Sequence, residues 1–147
     1  MRISVAADER VGIASILRRE LEQRGHVVCA HGALAANERP DWAWAAEAAA
    51  RDVAAGRADG AVVCCWTGTG ASIAANKVPG ARAALCGDAQ TAAGARRWND
   101  ANVLVLSLRL TSEASLAEIL DAWFDSRVSS DVQDAANIEH LTAIERA

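Results

Sequence analysis

Five consecutive apolar residues, Ala61-Val62-Val63-Cys64-Cys65, run straight into Trp66-Thr67-Gly68-Thr69-Gly70 and then a helical stretch, Ala71 to Asn76. A strand without polar alternation is buried on both faces, as happens where helices cover a parallel sheet on either side. The rest of the chain repeats this plan. Arg2 to Ala7, His26 to Cys29, Ala81 to Leu85 and Asn102 to Leu106 read as further strands. Each strand is followed by a helical pattern: 12–24, about 41–56, Ala71–Asn76, Ala89–Trp98 and Ser112–Phe124. In the first of these, Ile13, Ile16, Leu17 and Leu21 fall at helical spacing, and Gly25 supplies a stop. After a polar interval, Asp125 to Asp131, a last helix runs to about residue 147. Five β–α units predict a single α/β domain over 1–147, a Rossmann-like, doubly wound, parallel five-stranded sheet with flanking helices.

Composition agrees with one soluble domain. The 147 residues are 52% hydrophobic and 23% charged, with a net charge of −4, so no basic stripe points to nucleic acid. No apolar run approaches the roughly 18 residues that span a bilayer. The N-terminus reads as a strand and not as a signal peptide, and a cytoplasmic location is expected. The four cysteines include the adjacent pair Cys64 and Cys65, a poor arrangement for two bridges. No C-x-x-C pair or clustered His/Cys set is evident, so no metal is expected. Cys29, Cys64 and Cys86 read as small buried hydrophobes in strands. Trp42 and Trp44 read as core or dimer packing.

In such sheets ligands bind beyond the carboxyl ends of the strands. Asp8-Glu9-Arg10, Cys65 with its glycine loop, and Ser107-Leu108-Arg109 all fall there. Two glycines ahead of a helix let backbone N–H groups of Gly68, Thr69, Gly70, Ala71 and Ser72 face an anion or a developing oxyanion. The same spacing also suits a plain turn. Neither a Walker ending nor a dinucleotide fingerprint is present. Cys65, at the mouth of the loop, is either a thiolate favoured by the helix end, usable as base or nucleophile, or an inert strand-end residue.

The run Cys65 through Lys77 ends Ser72-Ile73-Ala74-Ala75-Asn76-Lys77. With Ala81-Arg82-Ala83-Ala84-Leu85-Cys86 and Asn99-Asp100-Ala101-Asn102-Val103-Leu104, it closely resembles the ribose-5-phosphate isomerase B / galactose-6-phosphate isomerase family. The resemblance extends from Asp8 to Trp123 and implies an aldose–ketose isomerase working through an enediolate without metal or other cofactor. It also implies homodimers or tetramers whose active sites lie between chains, the C-terminal helix (about 131–147) packing on the partner. By resemblance Cys65 is the base, and the glutamate of the family's other branch would stand at Ala71. Thr67 lies near the reacting oxygens, the amides of Gly68 to Ser72 hold the enediolate, and Asp8 and Asn99 bind the sugar. Arg109 sits at the phosphate end.

Five positions, in four departures, differ from the family pattern. Glu9 stands for a histidine, Trp98 for the histidine that opens the furanose ring, Gln133 and Asn137 for two phosphate-gripping arginines, and Arg39 for a tyrosine. Amides and a carboxylate suit hydroxyl groups better than a phosphate dianion. These changes favour a sugar other than ribose 5-phosphate, including an open-chain tetrulose that needs no ring opening. The alternatives are a phosphate site rebuilt by Arg10, Arg39 and Arg109, and a non-catalytic sugar-binding or partner subunit. Trp98 offers either a flat wall for a sugar or mere filling. Of the histidines, only His31 has the placement of a replacement ring-opener.

Overall fold

A computed structural model describes all 147 residues. Its strands are β1 (Arg2–Ala7), β2 (Val27–Gly32), β3 (Gly60–Cys65), β4 (Ala83–Leu85) and β5 (Val103–Ser107). The helices are α1 (Leu17–Gln23), α2 (Trp42–Ala54), α3 (Thr69–Asn76), α4 (Ala89–Asn99), α5 (Glu113–Asp125) and α6 (Val132–Glu145). All pairings are parallel, in the order β2-β1-β3-β5-β4. The order in which strands are added reverses between β1 and β3, so a crevice opens beyond their carboxyl ends.

Every residue of β3 is buried, because two layers close on it. One face of the sheet carries Ile3, Val5, Val62, Cys64, Leu104 and Leu106 against α1, α4 and α5. The other carries Ala6, Ala61, Val63, Cys65, Val103 and Val105 against the alanines of α2 and α3. The alanine-rich face of α2 allows close approach: Ala45, Ala46, Ala49 and Ala50 are all buried. Side chains alternate across a strand, so Cys64 and Cys65 face opposite layers.

Several expectations are corrected. Residues 12–24 do not make one helix; Gly12, at φ +52°, starts a 3-10 turn over Gly12–Ser15 that precedes α1. β4 is only three residues long, because Asn102 takes the Arg82 N–H with its side chain and the Gly80 carbonyl with its amide. Cys29 is exposed, not buried, since β2 is an edge strand. Cys86 is buried, yet one residue beyond β4. Trp42 and Trp44 are 46% and 49% exposed and so are not core residues. No helix is long and apolar enough to cross a membrane. Helix α6 buries none of its residues and exposes Val132, Leu141 and Ile144.

Candidate active site

Cys65 ends β3 and Gly68 begins the turn into α3. Gly68 adopts φ +79°, and a Cβ there would lie 2.4 Å from Leu85 Cδ1 and 3.2 Å from the Leu106 carbonyl. Only glycine fits both the left-handed backbone and the contact. The turn brings the Ala71 N–H to 3.5 Å from Cys65 Sγ, to which it donates. The Ser72 N–H is already spent on the Gly68 carbonyl. The anion-facing set is therefore smaller than Gly68 to Ser72: only the N–H groups of Gly68, Thr69 and Gly70 have no partner in the chain. Thr67 Oγ1 and Thr69 Oγ1 share a hydrogen bond of 2.8 Å at the mouth of the loop. Free N–H groups at a helix N-terminus carry partial positive charge, beside which an oxyanion is stabilised.

Neighbouring strand ends complete this edge. Past β5, the Leu108 and Arg109 N–H groups donate to the Cys65 and Trp66 carbonyls, each at 3.0 Å. Ser107 Oγ donates to the same Trp66 carbonyl at 2.9 Å and accepts from the Leu110 N–H. Arg109 is thus fixed beside the loop, exposed and without an acidic partner. Asp8 is half-buried after β1, and its Oδ1 is buried with no hydrogen-bond partner. Burial pushes the Asp8 carboxyl above its usual range, opposed by nearby backbone N–H groups and reinforced by the adjacent Glu9. An orphaned buried oxygen is costly, and a donor group placed against it would remove that cost. Glu9 and Arg10 are exposed, and Arg10 donates only to the Ala33 carbonyl.

Other expected site residues do not join this cluster. Arg39 is committed elsewhere: its Nε lies 2.6 Å from Asp41 and its guanidinium 3.5 Å from the Trp44 ring centroid. Trp98 and Asn99 close α4 at the opposite edge, where the strands begin. Asn102, just beyond them, accepts from the Ala61 N–H at the start of β3, whereas Cys65 pairs with Ser107 at its end. Four residue steps, from Ala61 to Cys65, separate the two edges, roughly 13 Å. Trp98 folds over Gly94 of its own helix, where a Cβ would meet the ring at 2.7 Å, and stays 53% exposed. Helix α6 runs along the same far edge, tied by Ser129 N–H to the Arg97 carbonyl and by Glu145 to the Gly80 N–H. Its Gln133 and Asn137 are exposed, with Asn137 bonded to the Gln133 carbonyl. Asn99 and Asn76 line a groove of about 310 Å³ with Arg82, Leu141 and Ile144.

No imidazole reaches the Cys65 loop. His31 lies between Asp52, 2.7 Å from its Nε2, and Glu38, 3.1 Å from its Nδ1, so it does not replace a ring-opening group. His26 packs on Phe124, and burial lowers its affinity for a proton. His140 is exposed on α6. The sequence reading missed Trp42, whose ring covers Gly70; the alanine-rich α2 pattern carries no sign of where its first turn ends up.

The Ribose/Galactose Isomerase family model matches residues 3–141. Ribose-5-phosphate isomerase B of Escherichia coli (strain K12) is 36% identical over 138 residues, 91% of each chain. The D-erythrulose-4-phosphate isomerase of Pectobacterium atrosepticum is 32% identical, covering 86% of this chain and 84% of that one. The solved ribose-5-phosphate isomerase B of Clostridium thermocellum superposes with a TM-score of 0.90 at 31% identity, covering 99% and 98% of the two chains.

Proposed function

The chain belongs to the ribose/galactose isomerase family and is an aldose–ketose isomerase, and from that premise we propose that Cys65 is its base and an open-chain sugar phosphate its substrate. The Cys65 thiolate takes the proton from C2 of the aldose, or C1 of the ketose, and returns it to the other carbon. The negative charge that builds on O1 and O2 meets the free N–H groups of Gly68, Thr69 and Gly70. Loss of a single donor of this kind typically costs about 10²–10³ in kcat. The Thr67 hydroxyl passes the proton between O1 and O2. Asp8 Oδ1 accepts from a sugar hydroxyl. The observation that carries this reading is the Ala71 N–H donating to Cys65 Sγ, which holds the sulfur beside the unpartnered amides.

Arg109 supports a phosphorylated substrate, since an unpaired guanidinium suits a phosphate dianion. Arg10 is turned toward the Ala33 carbonyl beyond β2, and Arg39 is held by Asp41. The relatives' names also carry sugar phosphates. Together these favour a phosphorylated sugar, within the expected class of sugars other than ribose 5-phosphate. Trp98, without a transferable proton, and His31, tied between two carboxylates, both favour a substrate that arrives open. A four-carbon sugar esterified at O4 has no hydroxyl left to close a furanose ring. Trp98, Asn99, Gln133 and Asn137 complete the site from the far edge of a second copy of the chain.

The test is proton exchange in deuterated water with D-erythrulose 4-phosphate and ribose 5-phosphate. The expected result is deuterium at C1 or C2 and a higher kcat/KM for the tetrulose phosphate. An equal or higher kcat/KM for ribose 5-phosphate overturns the open-chain assignment. Exchange retained in Cys65→Ala removes that residue from the role of base.

A further inference from the structure

At the β2 edge of the sheet, on the same face as Cys65 but two strands away, β2 and α2 bring together donor side chains of a different kind. Cys29 and His31 stand two residues apart on β2 and so share a face. Asp52 projects to the same place from α2, and the ligand atoms of the three all lie within 4.8 Å of one another. Cys29 is exposed, His31 half-buried and Asp52 only 8% exposed. The cluster is therefore open on the thiol side and anchored on the carboxylate side.

The surroundings orient each donor. Glu38 sits on His31 Nδ1 and also accepts from the Gly32 N–H at 3.0 Å. A carboxylate on one imidazole nitrogen fixes the ring and leaves the other nitrogen facing inward, as in carboxylate–histidine–metal triads. Here the inward atom, Nε2, faces Asp52. Asp52 is locked by Ser4 Oγ at 3.0 Å and Arg57 Nε at 2.8 Å. Burial opposes its ionisation, but hydrogen bonds from His31, Arg57 and Ser4 outweigh this and hold its carboxyl below the usual range.

We propose that Cys29, His31 and Asp52 form a site for a divalent transition-metal cation of the zinc type, with water as fourth ligand. One thiolate, one imidazole and one carboxylate make a mixed set that suits zinc and disfavours magnesium or calcium. Donor separations around a tetrahedral zinc ion are roughly 3.3–3.6 Å, so closure needs mainly a rotation of the exposed Cys29. The Cys29 thiol gives up its proton as it takes the ion, since the thiolate is the ligand. The ion would pin the edge strand β2 to α2 and, through Glu38, the loop over 33–41.

The test uses the full chain, stripped with a chelator and then titrated with cadmium and with zinc. Cadmium is expected to give a thiolate-to-metal charge-transfer band at one ion per chain. Zinc at micromolar concentration is expected to release protons and to shield Cys29 from alkylation, read by peptide mass spectrometry. Cys29→Ser and His31→Gln are expected to lose the band, and Cys65→Ser to keep it. A band that persists in Cys29→Ser, or alkylation of Cys29 that zinc does not slow, overturns the site. Because Cys29 is exposed, its serine variant folds whether or not the site exists.

Discussion

The six-membered ring of Trp42 covers the Cα of Gly70: a Cβ on that glycine would lie 3.0 Å from both Cδ2 and Cε3. The first turn of α2 thereby presses on the turn whose N–H groups of Gly68, Thr69 and Gly70 are unpartnered. Removing the ring frees that turn, and displacements of about 1 Å at a catalytic loop are costly. Trp42→Ala is expected to lower kcat about tenfold, roughly 1.4 kcal/mol of transition-state stabilisation, with KM less affected. Trp42→Phe should recover most of the loss in the same steady-state assay.

Gly68→Ala attacks the same turn from within. The left-handed backbone costs an alanine roughly 1–2 kcal/mol, and the clash with Leu85 and the Leu106 backbone adds about 1–3 kcal/mol. A stability loss of about 2–5 kcal/mol, read from the urea midpoint, is expected. Gly56, with φ +69° and open space around it, should lose only the backbone part.

The cysteines should separate by burial. Burial raises the Cys64 thiol far above its ordinary range, and pushes Cys86 up to about 11. Iodoacetamide at pH 8 is expected to label Cys29 first and to leave Cys64 and Cys86 unlabelled in the native protein, as peptide mass spectrometry would report. Cys64→Ala should keep proton exchange, while Cys65→Ala abolishes it.

Asp8 sets stability against function. Its carboxyl titrates above the usual range mainly because burial disfavours the charge. The folded state therefore holds that proton more tightly than the unfolded chain, and the ionised form weakens the fold at neutral pH. As pH falls through the folded value toward the unfolded one, near about 3.9, this penalty disappears. Asp8→Asn should raise Tm at pH 7, by an increment that shrinks toward pH 3, while isomerase activity falls.

Much of this architecture is legible in the residues. The unbroken apolar run 61–65 announces the central strand, and Gly68 and Gly70 mark the loop that follows. Strand order is not written locally, so the exposure of Cys29 on an edge strand escapes a reading of its neighbours. Asp52 stands more than twenty residues from His31, and the C-x-H spacing on β2 was the one available signal of their meeting. Likewise, no local pattern says that Asn99 ends at the far edge of the sheet, since a helix antiparallel to its strand carries its last residues back to the strand's origin.

With the proposed two-chain site, that separation makes activity a property of pairs. On that reading neither edge alone encloses the substrate, so dilution below the dimer dissociation constant should extinguish turnover without unfolding the chain. Subunits lacking Cys65 and subunits lacking Asn99, each inactive, should rescue one another when mixed. In a two-fold dimer of unlike mutants, one site collects both defects and the other collects none, so an equal mixture should regain about one quarter of full activity.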